Sequence, residues 1–168
     1  VRGLGDEGIY AAGYKLGTIA NAMFLDAFGL IWFPYIFGVK DPEAVRTLCR
    51  KVLTYFTLVM TCVSLAIAVF SEEITAFLFK PEYLEGHRVI PLVLAGYVAW
   101  AMYQVVSTVF YVRERTLSIT WLVGGAAVLN LLLNAVLVSR LGYFGAAWAT
   151  LGTFAALAAA SWIAAERL

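Results

Sequence analysis

Five apolar runs, separated by short polar connections, limit more than anything else how this chain can fold. They cover roughly residues 9–37, 52–79, 89–112, 117–139 and 144–165. A helix needs about 20 consecutive apolar residues to cross some 30 Å of hydrocarbon. Inside hydrocarbon each backbone amide must be bonded within its own segment, so single spans of this kind are helices. The runs at 89–112 and 117–139 are hard to read otherwise. The first is interrupted by Lys15 and Asp26, and the last is so rich in alanine that alone it would pass for a buried soluble helix. Composition supports membrane spans throughout: the 168 residues are 62% hydrophobic and 14% charged, with a mean hydropathy of +0.85. A soluble domain this small cannot hide that much apolar surface. The expected fold class is therefore all-α, an integral membrane helical bundle of about five transmembrane helices.

The polar connections carry the orientation. One set holds Lys40, Arg46, Arg50, Lys51, Arg113, Arg115 and Arg167; the alternating set holds Arg2, Lys80, Arg88 and Arg140. Lys and Arg in short loops concentrate on the cytoplasmic side. The N-terminus is thus expected outside and the C-terminus in the cytoplasm of a bacterial or archaeal plasma membrane. Asp41-Pro42-Glu43 reads as a helix start, with Asp as cap and Pro in the first turn. Residues 45–51 read as an interfacial amphipathic helix feeding the second span. Pro81 and Gly86 break helix in the outer loop, and Pro34 bends or ends the first span. Trp32, Trp100, Trp121, Trp148 and Trp162 divide between interfacial belts and the interior in a way sequence does not resolve.

Several function classes are excluded or disfavoured. A formal net charge of +1 gives no case for nucleic acid. Cys49 and Cys62 read as free thiols. His87 is the only histidine, without Cys or carboxylate neighbours at metal-ligand spacing, and reads as a solvated loop residue. There is no Walker A, G-x-S-x-G or H-E-x-x-H motif, so neither an enzyme nor an ATP-driven pump is expected, and no cofactor. The chain begins at Val1 with no signal-peptide pattern, which suggests a piece whose N-terminal part is absent.

Lys15 and Asp26 carry the main functional expectation. They lie eleven residues apart. On an unbroken α-helix that is three turns plus about 20°, with a separation of roughly 16 Å, so both share one face without pairing. A charge at membrane depth costs at least about 2.5–3.5 kcal/mol on insertion scales, so it is read as functional unless it snorkels to the interface. Asp26 could take up and release a coupling ion, H⁺ or Na⁺. Asn130 and Asn134 share a helix face at i, i+4, and Gln104 sits mid-span near Ser107 and Thr108. Each reads either as interhelical hydrogen-bonding glue or as a substrate contact. Tyr10, Tyr14, Tyr97 and Tyr103 read as core aromatics or as platforms for sugar rings.

Two segments carry a family resemblance. From Asn130 to Thr150 the chain reads N-x-x-x-N, then Leu141-Gly142, then Gly145-Ala146-Ala147 and Ala149-Thr150; from Gly8 to Leu16 it reads GIYAAGYKL, and Phe33-Pro34 closes the same span. These segments resemble the polysaccharide-transporter and O-antigen flippase branch of the multidrug/oligosaccharidyl-lipid/polysaccharide exporter superfamily. The resemblance implies five helices of the second of two six-helix lobes, with the N-terminal lobe missing. It implies alternating access for a lipid-linked oligosaccharide, with membrane lipids as the other partner. Lys15 would then be a cation in the central cavity that attracts the substrate pyrophosphate. Tyr14, Lys15, Asp26, Gln104, Asn130 and Asn134 are the candidate substrate-pathway residues. A multidrug or cation antiporter and a peptidoglycan-precursor flippase are the nearest alternatives, and a non-transporting scaffold of polysaccharide synthesis is the alternative from another class.

Overall fold

The structure is a computed structural model that describes residues 4–167. The first span is built from helix α1 (Leu4–Asn21), a π-helical segment (Ala22–Asp26) and α2 (Ala27–Phe37). Then come α3 (Pro42–Val69), the short α4 (Ser71–Leu78), a 3₁₀ segment (Pro81–Val89), α5 (Ile90–Val112), α6 (Thr116–Leu141) and α7 (Tyr143–Glu166). No strand occurs among the described residues. Five stretches are long and apolar enough to cross a membrane: Gly13–Phe37, Pro42–Val69, Tyr83–Val112, Thr116–Leu141 and Tyr143–Glu166. The molecule is an all-helical membrane bundle, as its apolar runs require.

Helix ends obey local chemistry. The Asp41 carboxylate accepts from the amides of Glu43 and Ala44 at 3.2 and 3.3 Å, and Pro42 occupies the first turn. The C-terminus of α5 closes in a Schellman motif. Arg115 N–H donates to Phe110 C=O at 2.8 Å and Glu114 N–H to Tyr111 C=O at 3.1 Å, with Glu114 at φ 54°. Between α6 and α7 the chain reverses through Gly142 at φ 62°, ψ −139°, a conformation open in practice to glycine. Gly145 then lies against the backbone of Leu137, where an added Cβ would collide with the Leu137 carbonyl. The turn conformation of Gly142 and the collision at Gly145 are the physical content of those two positions in the L-G-x-x-G-A-A motif.

The bundle is organised around α5. It packs on α7, α3, α1 and the 3₁₀ segment, and α7 in turn lies against α6. The main core joins Trp32 and Ile36 of α2, Val45, Cys49 and Leu53 of α3, and Val105, Val106 and Phe110 of α5. Phe28 stacks on Phe56 with ring centroids 3.8 Å apart, tying α2 to α3. By contrast α6 contributes only Ile119 to the buried set, and Leu117, Trp121 and Leu131 on it face outward. Such a surface suits lipid.

The second helix differs from its sequence-based bounds. It begins at Pro42 and breaks at Phe70, instead of running from 52 to 79. Residues 45–51 do not lie apart as an interfacial helix but form early turns of α3, with Val45 and Cys49 buried and Arg46, Arg50 and Lys51 exposed. Charges concentrated on one side depress average hydropathy without disturbing a helix whose other side is apolar. Pro34 lies inside α2, three residues before its end at Phe37. Pro81 and Gly86 fall within the 3₁₀ segment, and His87 is half-buried there with Nδ1 donating to the Leu84 carbonyl at 2.6 Å, so it is no free solvated side chain. Trp32 is 4% exposed and belongs to the interior, whereas Trp121 is 81% exposed.

Gly145→Ala should lower stability by about 1–3 kcal/mol, the usual cost of overpacking. Glu114→Gly should be neutral or stabilising by up to about 1 kcal/mol, because it relieves a left-handed non-glycine residue. Thermal unfolding in detergent, monitored by tryptophan fluorescence, distinguishes the two.

Candidate substrate-path residues

Gly13 and Gly17 position α1. A Cβ on Gly13 would collide with the Gly86 carbonyl, and one on Gly17 would stand 2.6 Å from Val93 Cγ1. The G-x-x-x-G pair is therefore the face that α1 presents to the 3₁₀ segment and α5. Lys15 is two residues from either glycine, about 200° around the helix, and is turned away from that interface. Lys15, Ala11 and Ile19 are all exposed, one turn apart on the outward face of α1. Tyr14 is half-buried and packs against the Val89, Val93 and Ala147 cluster, and its carbonyl accepts the Thr18 hydroxyl at 2.8 Å. The side chain of Tyr10 lies outside the described residues, as does Arg2.

Asp26 ends the π-helical segment and is exposed, next to buried Leu25. The expectation that Lys15 and Asp26 share a face assumed an unbroken α-helix. In a π turn each amide bonds five residues back, so the segment takes up extra chain and rotates the downstream helix by up to about one residue, ~100°. The simple register therefore does not carry across residues 22–26. Sequence offered no signal for this irregularity, since Ala22-Met23-Phe24-Leu25 is unremarkable helix-forming chain.

The asparagine pair is engaged within the bundle. Asn134 Nδ2 donates to the carbonyl and to Oδ1 of Asn130 at 2.9 and 3.0 Å. Asn130 Nδ2 donates to Thr153 Oγ1 of α7 at 3.1 Å, and the Thr153 hydroxyl donates to the Ala149 carbonyl at 2.7 Å. The result is a short donor relay that couples α6 to α7. Gln104 is half-buried in the middle of α5, and its carbonyl accepts the hydroxyls of Ser107 and Thr108 at 2.8 and 3.3 Å. The six candidates thus fall into separate groups: Tyr14 and Lys15 on α1, Asp26 at the π joint, Gln104 on α5, and Asn130 with Asn134 on α6.

Sequence reasoning did not pair Trp32 with Thr108. The Trp32 indole N–H donates to the buried Thr108 hydroxyl at 3.0 Å, joining α2 to α5 across 76 positions of chain. No local pattern predicts a bond of that range. Tyr97, Trp100 and Phe154 form a further aromatic contact between α5 and α7, with Trp100 and Phe154 centroids 5.0 Å apart. Among the described residues there is no group of His, Cys, Asp and Glu able to hold a metal ion.

Comparison with known families now decides the lineage. A family model described as "Lipid II flippase MurJ" matches residues 9–168, nearly the whole chain. The chain belongs to the lipid II flippase MurJ family. No curated protein and no solved structure matches it. Membership in the MurJ family makes it a multi-pass membrane protein of a family of lipid-linked precursor flippases, a transporter lineage and not an enzyme one. It also corrects the branch. The resemblance to O-antigen flippases locates the right superfamily, but the MurJ match favours the peptidoglycan-precursor alternative over the polysaccharide reading. The packing motifs at Gly142 and Gly145 explain why: they record how two helices touch, not which head group crosses.

Thr108→Val should cost about 1–3 kcal/mol, because it leaves the Trp32 N–H buried without an acceptor. Thr153→Val should cost nearer ~0.6 kcal/mol, the average for an intramembrane side-chain hydrogen bond. Equilibrium unfolding in mixed micelles would rank them, and equal losses would contradict the assignment.

Proposed function

We propose that this chain is part of a flippase that moves a peptidoglycan precursor, a lipid-linked sugar pyrophosphate, across a bacterial plasma membrane. The match to the MurJ family over residues 9–168 carries this reading. Lys15 is the residue we assign to the substrate. It stands on the face of α1 opposite the Gly13 and Gly17 contact, directed away from the other helices of the bundle. A lysine exposed to hydrocarbon alone would be costly, whereas a cavity shared with a second lobe would supply water and an anionic partner. In a low-dielectric cavity a cation attracts a pyrophosphate far more strongly than in bulk water. Alternating access then arises from rocking of two lobes about that cavity, while the lipid tail stays in the bilayer.

Asp26 takes the second role, as the site where H⁺ or Na⁺ binds during the cycle. Its position at the end of a π-helical segment supports this, since such irregularities in membrane helices recur at functional sites. The distribution of Lys and Arg supports an N-terminus outside and a C-terminus in the cytoplasm.

Full-length protein in proteoliposomes carrying fluorescent lipid II tests both roles. Lys15→Ala should reduce the flipping rate by about tenfold or more, as expected when a pyrophosphate loses its charged partner, and Lys15→Arg should restore most of it. A normal rate in Lys15→Ala at normal protein level overturns the assignment. Asp26→Asn should abolish the response to an imposed proton or sodium gradient; unchanged transport in that variant removes the coupling role.

A further inference from the structure

Past the end of the second span the chain forms a helix that the proposed transport leaves without a role. The apolar span closes at Val69, the helix is interrupted at Phe70, and α4 runs from Ser71 to Leu78 before the 3₁₀ segment begins at Pro81. Its side chains sort into three sectors. Ser71 and Thr75, one turn apart, are buried, and the Thr75 hydroxyl donates to the Ser71 carbonyl at 2.6 Å. Glu72, Glu73 and Ala76 are exposed. Ile74, Phe77 and Leu78 make the third sector at i, i+3 and i+4. Phe77 is 89% exposed, the most open large apolar side chain among the described residues, and Leu78 is 55% exposed.

The angles separate three surroundings. At 3.6 residues per turn, the Ile74, Phe77 and Leu78 sector is centred about 90° from the Ser71 and Thr75 sector and about 140° from the glutamates and Ala76. A helix at the rim of a bundle, with protein beside it, hydrocarbon beneath and water above, has this arrangement. The glutamates sit in the first turn, where the helix dipole favours acids, and they offer anionic head groups no attraction. Surface binding here therefore draws on apolar burial. An exposed apolar surface of this kind marks contact with a membrane or with a partner. Two observations favour the membrane. The sector follows directly on a span, and it continues the exposed apolar side of that span, where Leu58, Leu65, Val69 and Phe70 lie open. A free helix of eight residues is too short to hold its shape in water. α4, however, is tethered by α3 and packs on the 3₁₀ segment, which in turn meets α1 where Gly86 faces Gly13. We propose that α4 is an interfacial anchor, with Ile74, Phe77 and Leu78 sunk into the head-group boundary of the bilayer and Glu72 and Glu73 in water. The orientation proposed above makes this the outer leaflet, while the anchoring itself does not depend on what the protein transports.

Full-length protein carrying one introduced cysteine and no other, spin-labelled and reconstituted in phosphatidylcholine vesicles, tests the anchor. Power-saturation EPR compares collisions with oxygen, which concentrates in hydrocarbon, and with a water-soluble nickel chelate. Labels in Phe77→Cys and Leu78→Cys should favour oxygen, at a depth of about 5–10 Å below the head-group boundary, and a label in Glu72→Cys should favour nickel. Added phosphatidylglycerol should leave these depths unchanged. A label at 77 that meets nickel as readily as one at 72 overturns the proposal, because α4 then projects into water. Few collisions with either reagent at 77 and 78 overturn it as well, since another protein segment then covers the sector. A depth that grows with the phosphatidylglycerol fraction overturns the assignment to apolar burial. Should the cysteine variants fail to fold, a lipid-soluble carbene reagent applied to the parent protein decides the matter. Insertion at Phe77 and Leu78 supports the anchor, and its absence there, with insertion on α3 intact, overturns it.

Discussion

Close backbone approach is the interaction on which this bundle depends. Between helices in lipid there is little hydrophobic drive, because hydrocarbon tails are as apolar as leucine. Association then relies on contact area, and contact area relies on positions without a bulky side chain. Gly145 against Leu137, Gly13 against Gly86 and Gly17 against Val93 are the places where this is most acute. The first sets α7 on α6, and the other two set α1 on the 3₁₀ segment and α5. A side chain added at Gly13 or Gly145 would force the facing backbones apart, whereas at Gly17 the Val93 side chain would have to give way.

Hydroxyls inside the bundle mostly follow a second rule, which is local satisfaction, although the buried Thr57 Oγ1 has no partner. Hydroxyls of Thr75, Ser107, Thr153 and Ser161 are bonded to carbonyls three or four residues back in their own helices. Among the described residues, the polar bonds that cross between helices include Trp32 to Thr108 and Asn130 to Thr153. Those crossings add orientation to contacts that packing alone leaves free to rotate. The exposed charges are treated differently. Lys15 and Asp26 have no role in the core, and they sit on a span whose halves are held by different partners. α1 is held by α5 and the 3₁₀ segment, whereas α2 joins the core made with α3 and α5. The π-helical joint between them lies where these two attachments meet, beside the charge assigned to ion coupling.

Much of the fold was legible from composition and period. Runs of apolar residues beyond bilayer length have one solution, and Asp41-Pro42 marked a helix start that the structure repeats at atomic detail. The asparagine pair and the glycines after Leu141 were legible as a motif, but their meaning was architectural: a relay to Thr153 and a turn that only glycine makes easily. Hence they pointed to the superfamily and not to its peptidoglycan branch. The bounds of α3 were misjudged because average hydropathy counts charge without asking which side of the helix holds it.

The sequence by itself determined the number of spans, the all-helical class, the helix start at Asp41-Pro42 and the glycine turn after Leu141, because these depend on desolvation of the backbone and on the size of single side chains. Only the tertiary structure decided which polar residues meet. Trp32 finds Thr108 across the bundle, whereas Lys15 and Asp26 lose their simple common register at residues 22–26. Such meetings depend on how helices rotate against one another, and rotation is set by packing across long stretches of chain that no local pattern records.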